Sequence, residues 1–135
     1  MARYETPEAL IRIMRDTTVG LIRRDGPDLS ARQLAVFLTC YTENELQTVR
    51  ALARRLNVSK PAITRALDRL AEFDLIRRHP DPLDRRSVLI QRTQPGLALF
   101  RDIRGFVRAA GEEAMTTPAV QQPAERSNQP AVVPA

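Results

Sequence analysis

The sequence predicts a mainly α-helical fold with one small β-hairpin, in the order α-α-α-α-β-β-α. Three observations carry that expectation. Apolar residues recur at helical spacing in five stretches, two of these stretches are separated by only three residues, and one short β-rich segment interrupts the helical periodicity.

The first helix is expected to start at Thr6-Pro7-Glu8. Thr6 is suited to the N-cap, Pro7 to the first helical position where its missing N–H costs nothing, and Glu8 to the positive end of the dipole. Leu10, Ile13, Met14, Thr17 and Leu21 follow at helical spacing, and Arg23-Arg24-Asp25-Gly26-Pro27 ends the run. Ser30 and Gln33 have capping-box spacing and open a second helix through Leu34, Phe37 and Leu38 to about Tyr41. Thr42 to Leu46 reads as a polar connection. Thr48 caps a third, short helix whose Val49, Leu52, Ala53 and Leu56 make one buried face.

Asn57-Val58-Ser59 is a tight break, because Asn tolerates the left-handed conformation that ends a helix and Ser59 can cap the next. The fourth helix, Lys60 to Phe73, buries Ile63, Ala66, Leu67 and Leu70. Two helices joined in this way have helix-turn-helix spacing. Ile76 to His79 and Ser87 to Ile90 then read as two strands around the polar, proline-stiffened tip Pro80-Asp81-Pro82-Leu83-Asp84, which makes a projecting wing. Thr93 caps a last long helix with the apolar stripe Leu97, Phe100, Ile103, Val107 and Ala110. The fold class is therefore a winged helix-turn-helix over residues 1–115, and residues 116–135, with four prolines among Gln, Ser and Asn, read as a disordered Pro-rich tail.

Charge narrows the function. The chain of 135 residues carries a formal net charge of +5. Thr48 to Arg92 holds eleven basic residues (Arg50, Arg54, Arg55, Lys60, Arg65, Arg69, Arg77, Arg78, Arg85, Arg86 and Arg92) against five acidic ones, while the remainder holds 10 basic and 11 acidic. The whole positive excess sits on the helix-turn-helix and wing, as an electrostatic footprint on nucleic acid requires.

A helix in the major groove offers its N-terminal turns to base edges, so Ser59, Lys60, Pro61, Ala62, Thr64 and Arg65 form the candidate readout surface, with Arg69 further along. Arg65 either forks onto guanine O6 and N7 or makes a plain phosphate contact. Arg85 and Arg86 at the wing tip suit a minor groove, where narrow A·T-rich stretches concentrate negative potential.

Thr48 to Ser59, Ala62 to Leu70 and Asp81-Pro82-Leu83-Asp84-Arg85-Arg86 together resemble the third helix, recognition helix and wing of the MarR family of bacterial transcriptional regulators. That resemblance implies a sequence-specific regulator that binds double-stranded DNA as a homodimer, with residues 59–73 in the major groove and the wing, 79–88, in the minor groove. It further implies that Asp68 and Asp84 orient one wing arginine, Arg86 or else Arg85. The dimer surface it implies takes in Leu10, Ile13 and Met14 of the first helix and Phe100, Ile103, Phe106 and Val107 of the last, residues equally suited to packing on their own domain.

Two departures stand out. Phe73-Asp74-Leu75 replaces the family's usual glycine after the recognition helix, and the Pro-rich tail takes the place of a further C-terminal helix. No residue marks a pocket for a small-molecule effector.

Other classes lack parts. Cys40 is the sole cysteine and His79 the sole histidine, so no metal cluster, cofactor loop or nucleophile–base pair is present and no enzyme or cofactor is expected. No run approaches the roughly 20 apolar residues of a membrane span, and Met1 to Pro7 lacks a signal-peptide pattern, so a cytoplasmic protein is expected. Few aromatics disfavour single-stranded RNA as the partner. The alternative to DNA reading is a winged-helix protein-interaction module, either a transcription complex subunit or an antagonist of another regulator.

Overall fold

The computed structural model describes residues 6–116. The elements are α1 (Pro7–Arg23), α2 (Ala31–Thr42), β1 (Gln47–Thr48), α3 (Val49–Leu56), α4 (Lys60–Glu72), β2 (Ile76–Asp81), β3 (Asp84–Arg92) and α5 (Gln94–Thr116). Residues 117–135, where the Pro-rich tail is expected, lie outside the described residues.

Local chemistry sets the boundaries. Thr6 Oγ1 accepts from the Ala9 amide at 3.2 Å and caps α1. At α2 the reciprocal box is complete, with Ser30 Oγ accepting from Gln33 N and Gln33 Oε1 accepting from Ser30 N. Each bond satisfies an amide that a helix start leaves orphaned, and such a cap is worth about 1 kcal/mol. α4 ends at Glu72, and Asp74 adopts the left-handed conformation at φ 55°, the place where glycine is usual.

The sheet has the order β1-β3-β2 and is antiparallel throughout. β1 falls in what the sequence reads as a loop and its cap: Gln47 pairs with Ile90 and Thr48 with Leu89. β2 runs through Pro80 to Asp81, two residues further than the periodicity suggests. Proline is tolerated there because β2 is an edge strand.

The core lies where α2, α3 and α4 meet the base of the wing. Phe37, Leu52, Ile63, Leu67, Leu70, Ile76 and Ile90 are fully buried, each worth about 1.5–3 kcal/mol of transfer free energy. Tyr41 closes it with a polar bridge. Its ring stacks on Phe37 at 4.4 Å, while its hydroxyl donates to the Leu75 carbonyl at 2.7 Å and accepts from the Thr93 amide at 3.1 Å. The chain passes this bridge at Gly96, where an added Cβ would stand 1.7 Å from the Tyr41 hydroxyl oxygen.

α5 returns along α1. The two approach closely at Gly20, which faces the ring of Phe106, and Arg24 Nε donates to Asp102 Oδ2 at 2.7 Å. This pairing changes the reading of the last helix. Ile103 belongs to the core, Phe100 packs against that core with its ring 5.8 Å from Tyr41, and Phe106 covers Gly20. Of these three dimer-surface candidates Ile103 is buried within its own chain, while Phe100 and Phe106 are half-buried. The reason is periodicity: Leu99, Ile103 and Ala110 form the inward stripe of α5, leaving Val107 outside. On α1, Leu10 and Met14 are exposed and Ile13 is half-buried.

Candidate nucleic-acid interface

The helix-turn-helix is built from three local devices. Thr48 Oγ1 accepts from Ala51 N at 3.1 Å and starts α3, and Asn57 ends it at φ 54°. Ser59 Oγ then accepts from Ala62 N at 3.2 Å and starts α4. Asn bears this left-handed conformation at lower cost than most residues, because its short amide can bond locally.

α4 presents two faces. Ala62, Ile63, Ala66, Leu67 and Leu70 are buried, whereas Lys60, Pro61, Thr64, Arg65, Asp68 and Arg69 are exposed, as is the cap Ser59. Ala62 is thus a correction to the expected readout set. It sits one position before Ile63 on the inward stripe and its side chain is only 6% exposed, so it cannot offer its methyl to a base.

The wing tip is a two-residue turn at Pro82-Leu83, closed by Asp81 Oδ1 accepting from Leu83 N at 2.9 Å. Pairing then skips. Pro80 faces Val88, but Asp81 faces Asp84, so Arg85, Arg86 and Ser87 of β3 bulge from the ladder. Pro80 has no N–H to donate, which accounts for the break, and bulges re-aim side chains. Asp84 Oδ1 accepts from the Arg86 amide at 3.0 Å and holds the bulge. Asp68 does not reach Arg86. It pairs with Arg78 of β2 at 2.5 Å, because the base of the wing, and not its tip, passes beside α4. The arginine that Asp68 holds in this structure is therefore Arg78, and not the expected Arg86 or Arg85; the sequence reading named Arg78 only in its count of basic residues.

The eleven cations of the basic stretch fall into two groups. Arg55 pairs with Glu43, Arg69 with Glu72, Arg77 with Asp74 and Arg78 with Asp68. Arg92 donates to the carbonyls of Cys40 and Glu43. Arg69 is further engaged by the ring of Phe73, 4.5 Å from its guanidinium carbon. Among the described residues, no ion pair forms at Arg50, Arg54, Lys60, Arg65, Arg85 or Arg86. These six come from α3, from the first turns of α4 and from the wing tip. Arg50 and Arg54 were visible in the sequence only as part of the charge count, since nothing in a motif separates them from Arg55.

Other chemistries have no comparable constellation. No group of three His, Cys, Asp or Glu among the described residues is placed to hold a metal ion. No helix among them is long and apolar enough to cross a membrane. Cys40 is 6% exposed, and burial pushes its thiol up to about 12, so a thiolate is not available near neutral pH. Away from the basic face, α1, the loop after it, α2 and α5 enclose a pocket lined by Leu21, Ile22, Leu29, Leu34 and Leu99, with Arg24 at its side.

The comparisons with known proteins agree with this geometry. An uncharacterized HTH-type transcriptional regulator of Mycobacterium leprae is 32% identical over 94 residues, covering 70% of this chain and 65% of the relative's own length. Among solved structures, a mutant of the MarR protein of Escherichia coli superposes with a TM-score of 0.63 at 27% identity, covering 80% of this chain and 77% of that one. Streptococcus pneumoniae FabT, solved in complex with DNA, superposes with a TM-score of 0.66 at 20% identity, over 82% of this chain and 75% of that one. The sequence pattern of the MarR family matches residues 29–88, from the approach to α2 to the middle of β3. Over these residues, fewer than half of its length, the chain is similar to the MarR family.

Proposed function

We propose that the chain is a sequence-specific, double-stranded DNA-binding regulator of transcription that works in the cytoplasm as a homodimer. The partition of its cations carries the reading. Within the basic stretch Arg55, Arg69, Arg77, Arg78 and Arg92 are tied to carboxylates or carbonyls, while among the described residues Arg50, Arg54, Lys60, Arg65, Arg85 and Arg86 form no ion pair and sit on α3, the first turns of α4 and the wing tip. Unpaired surface cations repel one another, and an apposed row of phosphates turns that cost into binding free energy.

In this reading Ser59, Lys60, Pro61, Thr64 and Arg65 enter the major groove, and the wing, with Arg85 and Arg86, meets the minor groove. FabT, whose fold this chain shares, has been solved with DNA. Dimerisation uses α1, where Leu10, Ile11, Met14 and Ile22 are exposed by 50–68%, together with Val107 of α5. Two copies related by a two-fold axis read two half-sites about one helical turn apart. Residues 6–116 act as one unit, the winged helix-turn-helix with α1 and α5 as its flanks.

The test is selection from a pool of random duplexes at two salt concentrations, with Arg65→Ala alongside. Enrichment of a two-fold symmetric sequence, weakened by salt and lost in the variant, is the expected outcome. A well-folded protein that enriches nothing would sink the reading in favour of a protein-contact module.

A further inference from the structure

Leu83, at the turn of the wing, is 95% exposed, more than any other large apolar side chain among the described residues, and Pro82 beside it is exposed too. The proposed dimer does not account for it. The other exposed large apolar residues lie on α1 and α5, apart from Leu46 before β1, and α1 is the surface proposed for dimerisation. Nor does the turn require leucine. Two-residue hairpin turns favour glycine or asparagine because their central residues take positive φ, but neither Pro82 nor Leu83 does so. A polar residue would fit position 83 and be better hydrated there.

The tip is nevertheless held in one shape. Pro82 fixes its own φ, Asp81 Oδ1 accepts from the Leu83 amide at 2.9 Å, and Asp84 Oδ1 accepts from the Arg86 amide at 3.0 Å. Both carboxylates of the tip thus bond to backbone amides. Two cations, Arg85 and Arg86, follow, and among the described residues neither forms an ion pair. A rigid apolar point beside unpaired cations fits a narrow groove with anionic walls and a floor of stacked base edges.

We propose that Leu83, backed by Pro82, is a wedge that enters a base step under the wing, partly unstacks it and bends the duplex. The inference rests on the DNA-binding reading and deepens it by assigning a specificity-determining residue that makes no hydrogen bond to a base. Apolar side chains used in this way kink DNA by about 20–90° toward the major groove. Pyrimidine–purine steps unstack most easily, so Leu83 selects such a step in each half-site through deformability.

The experiment uses the duplex returned by the random-duplex selection. A fluorescent adenine analogue, quenched when stacked, is placed at successive positions of each half-site, and donor and acceptor dyes at the two ends report the bend. Wild type is compared with Leu83→Asn, which suits a turn, and with Leu83→Met, which keeps an apolar wedge. Each is titrated over a range of salt and put through the selection, and thermal melts confirm that both variants fold.

Wild type and Leu83→Met are expected to raise the fluorescence at one step of each half-site and to bring the duplex ends closer. Leu83→Asn, at saturating protein, is expected to do neither. It should bind about tenfold more weakly, since the gain from burying leucine is partly offset by unstacking, and keep the same slope of log K against log salt. Its selected sequence should lose the pyrimidine–purine preference at that step alone. A Leu83→Asn variant that matches wild type in fluorescence, bend and selected sequence overturns the wedge. So does wild-type protein that binds the duplex without unstacking any step. Wild-type protein that binds no duplex in a salt-dependent way overturns the DNA-binding reading and the wedge together.

Discussion

Asp68 on α4 accepts a hydrogen bond from Arg78 on β2 at 2.5 Å, and this pair joins the exposed face of the helix to the base of the wing. Both side chains are substantially exposed, so the pair contributes little to global stability, within about 1 kcal/mol. In the proposed DNA-binding role its effect lies in fixing the angle between two elements that meet two grooves at once. Asp68→Asn and Arg78→Gln should each leave the denaturation midpoint almost unchanged and weaken binding to a selected duplex. A double-mutant cycle on binding should show the two losses to be non-additive.

Gly96 and Tyr41 make the opposite case, a contact with no slack. An Ala Cβ at position 96 would stand 2.3 Å from the Leu75 carbonyl as well as against the Tyr41 hydroxyl, so Gly96→Ala must displace the start of α5. A loss of about 3 kcal/mol or more is expected in chemical denaturation. Tyr41→Phe keeps the packing but orphans the Leu75 carbonyl and the Thr93 amide, for an expected loss of about 2 kcal/mol.

The Cys40 thiol, raised to about 12 by burial, sets a pH dependence. The unfolded thiol ionises near pH 8.5, so below that pH both states hold the proton and the thiol adds no pH dependence. Above it the unfolded state releases the proton while the folded state keeps it, and stability falls by about 1.4 kcal/mol per pH unit until the folded thiol ionises too. Cys40→Ser should remove that part of the slope between pH 8.5 and 10, read from denaturation curves. Thiol reagents should label wild-type protein at pH 7 only at the rate of unfolding.

The proposed dimer has its weak point at the exposed apolar face of α1. Met14 is 64% exposed and Ile22 68%, so a charge at either should leave the monomer fold intact. Met14→Glu and Ile22→Glu are expected to shift sedimentation from dimer to monomer with unchanged far-ultraviolet circular dichroism. If both variants sediment as the wild type does, α1 is not the dimer surface.

The helices were legible in the sequence because their ends carry their own chemistry. Thr6, Ser30, Thr48 and Ser59 each cap the helix that their spacing to the next apolar residue suggests. β1 was not legible, since two residues have no periodicity and Gln47 and Thr48 become a strand only because Ile90 and Leu89 are there to pair with them. Ala62 was misread because an alanine fits either face of a helix, and only the neighbours of Ile63 decide which. The split of the cations was hidden for a related reason. Whether Arg55 is bound and Arg50 free depends on Glu43, which is twelve residues from Arg55 and seven from Arg50 in sequence but pairs only with Arg55. The choice between Arg78 and Arg86 for Asp68 likewise needs the path of the wing past α4, which no local pattern encodes.

Pro80 has a consequence beyond the aim of the arginines. A hairpin that stands clear of its domain offers an open row of amides and carbonyls to any other strand, and copies gathered on neighbouring stretches of one duplex would bring such rows together. In this chain the outer strand of the wing lacks a donor at Pro80, is charged at Arg77, Arg78 and Asp81, and loses its register beside the tip. Proline, charge and a bulge are the features that keep sheet edges from templating one another. The interruption that shapes the wing therefore also protects it from self-association, and in the proposed DNA-binding role copies on one duplex would not fuse through their sheets.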